Sequence, residues 1–410
     1  MKSMDNRLQR LLDFAEKDLH ENLMPWWSSH IMDGAGGFYG RVTPDGISDP
    51  EADRYIVLSS RLVWTYSAAY RVTGREEYKR HAEDCYRQFT ETFYDKEYGG
   101  FYFAVDKGGK PSKPHKFVYG NAFAVYALAE YARAFGSREA VELALETAEK
   151  LDSSAWDTTY GGYFETATRE WAWTPTVRGM NAGKEDQKTM NTHLHMIEAY
   201  TNLLRVADTP VLRSRTRVLL YLFLETITNR VTHHFHYFQR RDWTPTTPEQ
   251  SYGHDIEGSW LLTEAAEVLG EAQVEKDAAN ICVNIARAVL DDGFSELGGL
   301  YTDYDPRTGK YHPGFTWWEQ SEAVVGFLNA WQMTGEEKFL DKAVAVTDFI
   351  DKYFVDRELG GWYAHLNGDL TPRAGVDKAM SSICPYHNAR MHLELIERIR
   401  KMSDRKANAD

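Results

Sequence analysis

YDKEYGGFYF, residues 94–103, joins an acidic turn to two glycines and a run of three aromatics. The same construction returns as GGFY at 36–39, GGYF at 161–164, GGLY at 298–301 and GGWY at 360–363. Successive copies start 63, 62, 137 and 62 residues apart. The long interval is about twice the others, and near its middle HHFHYF at 233–238 keeps the strand-like aromatics without the glycines. That makes six copies, one of them degenerate. A fixed period is settled before any single element, because it sets the architecture.

Each copy keeps the same neighbours. An Asp-containing turn precedes it (YDKEYGG, WDTTYGG, VDRELGG), and a short polar stretch follows (VDKGGK, DYDPRTGK, HLNGD), which reads as a hairpin turn. Paired glycines suit tight backbone geometry that a β-carbon would obstruct. Between copies lie two runs with apolar residues at helical spacing, such as 56–73 with 76–93 and 316–333 with 336–353. Connectors such as VTGREE and MTGEEK put Gly after the first run and acidic residues at the start of the second, matching helix stop and start signals. The count is twelve helices, near 7–24, 56–73, 76–93, 119–135, 137–152, 188–206, 210–229, 254–268, 272–290, 316–333, 336–353 and 384–401. Six helical hairpins with short β-hairpins at one end predict an all-α (α/α)6 barrel. A solenoid of helix pairs is the rival, but those repeats are shorter, ~34–47 residues. No Pro- or Ser-rich linker divides the chain, so residues 1–410 are expected to form a single barrel domain.

The 410 residues are 43% hydrophobic and 26% charged, ordinary for a chain with a sizeable core. Aromatics reach 13%, with 12 Trp and 24 Tyr. Such rings suit the apolar C–H face of a sugar, although large helical proteins also bury many of them. A net charge of −14 without a basic run speaks against nucleic acid or an anionic membrane as partner. Cys85, Cys282 and Cys384 are few, odd in number and far apart, which fits a reducing compartment better than a disulfide framework. The N-terminal stretch is charged throughout, unlike a signal peptide, and no apolar run approaches the ~18 residues that span a bilayer. A cytoplasmic protein, monomeric or homodimeric, is the expectation.

Every second helix begins with a polar or aromatic cluster. The six are SSRLVW with Arg61, VYGNAF with Tyr119, KTMNTHLHMIEAY with Asn191, His193 and His195, YGHDIEGSW with His254 and Glu257, TWWEQSEAVV with Trp317, Trp318 and Glu319, and CPYHNARMH with His387. Alternate helices of a hairpin barrel run the same way, so these clusters should converge at one end of the inner ring. His254 and Glu257 are three apart and share a helix face. A carboxylate beside an imidazole fixes its tautomer and raises its basicity, as a general base requires; an ordinary surface pair is the plain alternative. His195 follows Asn191 by one turn, whereas His193 lies on a different side. His387 opens a helix, where the positive dipole end favours the neutral ring, though a capping or core role fits a lone histidine equally. Arg61, flanked by apolar residues, needs an anionic or oxyanionic partner, with a structural salt bridge as the alternative.

The pairs His193/His195 and His233/His234/His236 invite a metal, but helical ligand pairs usually sit at i,i+4. No acidic or Cys partner completes a site there. Neither a dinucleotide fingerprint nor a P-loop is present, so no cofactor is expected. Cys384 is followed by Pro385 and has no evident base.

KTMNTHLH at 188–195, SYGHDIEGSWLL at 251–262, WWEQSEAVVGF at 317–327 and CPYHNARM at 384–391 together resemble the N-acylglucosamine 2-epimerase superfamily, and within it the cellobiose and mannose 2-epimerases. The likeness covers nearly the whole chain and implies an (α/α)6 barrel that needs no metal or nucleotide. It implies that His254 and His387 flank C2 of an aldose. One removes the C2 proton and the other returns it on the opposite face, through a cis-enediolate. By the same resemblance Glu257 orients His254, and His195 assists ring opening and proton movement at O1 or O5. Arg61, Tyr119 and Asn191 hold hydroxyls and developing charge, Trp317 or Trp318 stacks on the sugar, and Glu319 belongs with the substrate-binding residues. The scheme is physically sound: a C2 proton beside an aldehyde is weakly acidic, so an enzyme must stabilise an oxyanion and place a base on each face.

One position departs from the pattern. The disaccharide enzymes usually carry a Trp platform two residues before Cys-Pro-Tyr-His, and here that residue is Ser382. The loss favours a monosaccharide unless Trp243 or Trp362 compensates. An aldose–ketose isomerase delivers the proton to C1 from the same enediolate and is the nearest alternative. A glycoside hydrolase needs two carboxylates ~5–9.5 Å apart, and the inner-ring starts offer histidines instead. A non-catalytic sugar-binding protein is the remaining class.

Overall fold

The computed structural model describes residues 5–174 and 185–407. Its helices are α1 (Asn6–Asp18), α2 (Met24–His30), α3 (Ile56–Thr73), α4 (Glu76–Phe93), α5 (Val118–Phe135), α6 (Arg138–Ala155), α7 (Met190–Leu204), α8 (Pro210–Leu222), α9 (Tyr252–Leu269), α10 (Ala272–Asp292), α11 (Trp317–Thr334), α12 (Glu337–Tyr353) and α13 (Tyr386–Ala407). The first expected helix runs further than its periodicity indicated. A π-helical turn, Leu19–Leu23, carries α1 into α2 and on to His30.

Helix ends follow the local chemistry. α3, α5, α9 and α11 each stop at a left-handed glycine, namely Gly74, Gly136, Gly270 and Gly335, whose N–H closes the last turn. Each inner helix packs on the next, in the order α3, α5, α7, α9, α11, α13, and α13 returns to α3. The ring is therefore closed. α1, α4, α6, α8, α10 and α12 form the outer layer, each against its inner neighbour. The sequence explains the division: α5 is apolar nearly all round and buried nearly all round, whereas α4 buries one stripe, Tyr78, Ala82, Cys85, Phe89 and Phe93.

The Gly-Gly hairpins sit at the N-terminal end of the inner ring and stitch successive repeats together. Lys116–Phe117, just before α5, pairs with Thr166–Ala167 of the next repeat, and Lys188–Thr189, before α7, pairs with Phe238–Gln239. A bridge from Val42 to Ala379 joins the first repeat to the last. Asp95, Asp157 and Asp356 of the acidic turns each receive a buried lysine, Lys116, Lys188 and Lys378. In the degenerate repeat the corresponding residues are neutral, Asn229 and Gln250, and His233 takes the left-handed backbone (φ 62°) that Gly161 holds in the repeat before it. The second glycine is fixed by packing. A β-carbon on Gly162 would lie 2.3 Å from Trp243 and 2.7 Å from His193 Nε2.

The fourth residue of four inner helices explains several polar side chains at once. Asn121, His193, Asp255 and Gln320 each accept the N–H of a hairpin aromatic or leucine, Phe101, Tyr163, Phe235 and Leu300, at 2.7–2.9 Å. His193 is thus structural, and so is His234, which pairs with Asp255 at 2.7 Å. None of the helices, among the described residues, is long and apolar enough to cross a membrane.

Candidate active site

The N-termini of the inner helices enclose a cavity of about 250 Å³. Nine of the ten expected residues line it: Arg61, Tyr119, Asn191, His195, His254, Glu257, Trp317, Trp318 and His387. Two layers supply most of them. The second residue of its helix gives Tyr119, Asn191, Trp318 and His387, and the sixth, one turn deeper on the same face, gives Arg61, Phe123, His195, Glu257 and Glu322. Ser382, Ile383 and His365 complete the wall.

Glu319 is the exception. It is fully buried, binds the backbone N–H and hydroxyl of Thr316, and forms the capping box of α11. Its residue type at the third helical position was a capping signal. The expected pairing of Glu257 with His254 also fails. His254 Nδ1 lies 2.8 Å from Ser251 Oγ, while Glu257 turns to Arg390 and lies 3.9 Å from His387 Nδ1. Shared helix face brought the two side chains near the same cavity, but the neighbouring arginine outcompetes an imidazole for a carboxylate.

Three of the four cavity histidines, His195, His254 and His387, are fixed through Nδ1, which leaves Nε2 for chemistry. His387 meets Glu322 at 2.7 Å and His195 meets Glu198 at 2.8 Å. Burial holds all three rings below the usual imidazole range. His254 is pushed down to about 3, with His195 and Arg61 reinforcing the effect, and His387 is lowered by burial together with Arg61 and Arg390. Trp318 lies between the two, its ring 4.7 Å from His254 and 5.4 Å from His387. A glycine at 253 makes room for it: a β-carbon there would come within 2.6 Å of the indole.

Beneath the rings, Arg390 binds Glu198, Glu257 and Glu322 together. Burial and the facing Glu322 carboxylate push Glu257 well above the usual carboxylate range, against the pull of Arg390. Two groups here have the spacing of metal ligands, His195/Glu198/Glu257 and Glu257/Glu322/His387, and the Arg390 guanidinium contacts all three of their carboxylates. Sequence reading passed over Glu198, Glu322, Arg390, Ser251 and His365. For Glu322 the missed signal was its register, since it stands at the same helix position as His195 and Glu257.

Arg61 differs from Arg390. It stacks on Phe123 and Tyr386, donates to Tyr119 Oη at 3.0 Å and reaches Cys384 Sγ at 3.4 Å. No carboxylate pairs with it among the described residues, and its Nε has no hydrogen-bond partner. The salt-bridge alternative is excluded for this side chain. Tyr119, pushed up to about 12 by burial, stays a proton donor.

Neutral bases around a small cavity, with a fixed cation ready for an oxyanion, suit moving a proton on an uncharged substrate, and the indoles suit a sugar. The class is a carbohydrate epimerase, an isomerase. The chain belongs to the N-acylglucosamine 2-epimerase (GlcNAc 2-epimerase) family, whose model matches residues 37–390. It is 38% identical to the cellobiose 2-epimerase of Bacteroides fragilis, over 93% of this chain and 97% of that one. With the cellobiose 2-epimerase of Ruminococcus albus it shares 35% identity, over 95% and 99% of the two chains. Among solved structures, cellobiose 2-epimerase from Bacillus thermoamylovorans superposes with a TM-score of 0.91 at 35% identity, covering 95% of this chain and all of that one. The protein is a sugar 2-epimerase with the (α/α)6 fold.

Proposed function

We propose that the enzyme inverts C2 of glucose- and mannose-type aldoses with His254 and His387 as the acid/base pair, and that it prefers the free monosaccharides to the reducing-end glucose of cellobiose. The observation that carries the reading is Arg61, a buried cation without a carboxylate beside two neutral imidazoles. In the open-chain sugar, one Nε2 takes the C2 proton and the C2–H electron pair forms the enediolate, whose charge collects on O1. Arg61 and the Tyr119 hydroxyl are placed to hold that charge. The opposite ring delivers a proton to the other face of C2, and the carbonyl re-forms. Turnover requires one Nε2 to be free and the other to carry a proton taken up from solvent. The abstracted proton returns to solvent from the first ring after the second has delivered its own. The negative charge developing on the enediolate stabilises the imidazolium that faces it. His195, on Glu198, is placed to move the proton between O5 and O1 during ring opening.

The monosaccharide preference rests on Ser382, which offers a second ring no stacking surface. Trp243 and Trp362 do not replace it: both are buried, with their indole N–H groups on Tyr160 O and Asp18. The test is product analysis without cofactor from glucose, mannose, cellobiose, lactose and N-acetylglucosamine. Glucose and mannose should interconvert with a higher kcat/KM than cellobiose. Fructose as the main product from mannose would assign the aldose–ketose reaction instead, and hydrolysis of cellobiose would refute the proposal.

A further inference from the structure

Ser251 is the residue preceding α9, the N-cap position, where a serine hydroxyl ordinarily accepts an N–H of the first turn. Thr189, in the same place before α7, does so. Ser251 forgoes that bond. Its Oγ lies 2.8 Å from His254 Nδ1 instead, and Asp303, whose carboxylate Ser251 helps to stabilise, stands directly across the strand pair from it. The backbone brings the two within reach: Ser251 and Asp303 are directly opposed across the antiparallel pair of Gln250–Ser251 with Asp303–Asp305, so their side chains share one face.

We infer that Ser251 and Asp303 form a relay that sets the tautomer of His254, Asp303 acting through the serine as a positioning residue. The inference rests on His254 being an acid/base group of the epimerase. The reasoning is a count of protons. An ionised carboxylate only accepts, so the single hydroxyl proton of Ser251 goes to Asp303. The serine oxygen must then accept from His254, which places the ring proton on Nδ1 and a lone pair on Nε2. His195 and His387 meet carboxylates directly, whereas the His254 Nδ1 meets a neutral hydroxyl.

Asp303 is pushed up to about 6 by burial. Protonated, it gains a donor and no longer fixes the direction of the chain; with Ser251 reversed, the ring proton sits on Nε2, where it blocks proton abstraction. Activity should therefore fall below pH about 6 although His254 itself stays neutral there. The other titratable and charged groups facing this assembly are His312, Glu249 and Glu319 around Asp303, His195 and Arg61 around His254, and Tyr237 beside both.

Asp303→Asn tests the relay, because it replaces an acceptor-only carboxylate with an amide that also donates, so the direction of the chain is no longer fixed, without changing size. Long-range 1H–15N correlation on histidine-labelled protein, with His254 assigned from His254→Gln, reads the tautomer independently of turnover. Wild type should show Nδ1 protonated alone, and Asp303→Asn a large population protonated on Nε2. In the same variant kcat should drop by about 10²-fold or more with KM changed far less, and the acid limb near pH 6 should disappear. Ser251→Thr should retain the wild-type tautomer and profile, and Ser251→Ala should lose both. An unchanged tautomer in Asp303→Asn overturns the inference even where activity is lost. So does an unchanged acid limb. Absence of epimerase activity in the wild type would defeat the proposed function and leave the tautomer result to stand by itself.

Discussion

Arg61 and the buried imidazoles are where single atoms decide the chemistry. Removing one donor from an oxyanion site typically costs ~10²–10³ in kcat. Arg61→Met keeps the stacking volume between Phe123 and Tyr386 and leaves no carboxylate orphaned, so kcat for glucose epimerisation should fall by about that factor with the thermal midpoint within a few degrees. A similar drop in midpoint and activity together would instead mark Arg61 as structural. The imidazoles also make stability depend on pH. His193 and His254 are both pushed down to about 3 by burial. Below the ordinary histidine value of about 6.5 the unfolded chain takes up protons that the folded chain refuses, so stability falls as pH falls. Thermal midpoints should decline steadily from pH 6.5 to 4, and His254→Gln should flatten that slope.

At the scale of elements, the hairpins hold buried ion pairs that the barrel's repeats share. Lys188 spends all three donors, on Asp157, Gly161 O and Arg241 O. Lys188→Met leaves Asp157 buried with Arg241 as its remaining cation, which should destabilise the fold by about 3 kcal/mol. The double change Lys188→Gln with Asp157→Asn copies the neutral residues at the same positions of the fourth repeat, Gln250 and Asn229, and should recover most of that loss in urea unfolding. No recovery would mean that the charges, not their pairing, set the hairpin. This repeat was the most legible feature of the sequence: period, glycines and aromatics gave the helical hairpins and the end of the ring where they meet. Partners were less legible. Glu257 and His254 share a helix, yet Arg390, on α13, takes the carboxylate, and contacts between distant helices leave no mark in local spacing. Glu319 was misread for the opposite reason, because its capping partner Thr316 was three residues away and was overlooked in favour of the cluster around it.

Across the whole molecule, polar cross-links close the ring at both ends. At the end away from the cavity Arg71 joins α3 to Glu130 of α5 and Glu397 of α13, Arg133 reaches Asn202 on α7, Arg205 pairs with Glu264 on α9, and Asn329 of α11 links Thr263 to Arg398. The basic members cluster near helix C-termini, where the dipole favours them. A ring fastened at both ends holds the inner-helix N-termini, and with them His254 and His387, in fixed relation across the cavity. The measurement that bears on this most directly is solvent exchange at C2. In D2O, without cofactor, the enzyme should convert glucose and mannose into one another with deuterium appearing at C2 of the product, and His254→Asn or His387→Asn should each slow product formation by about 10²-fold or more. Interconversion without deuterium at C2, or exchange that persists when both histidines are replaced, would contradict the account.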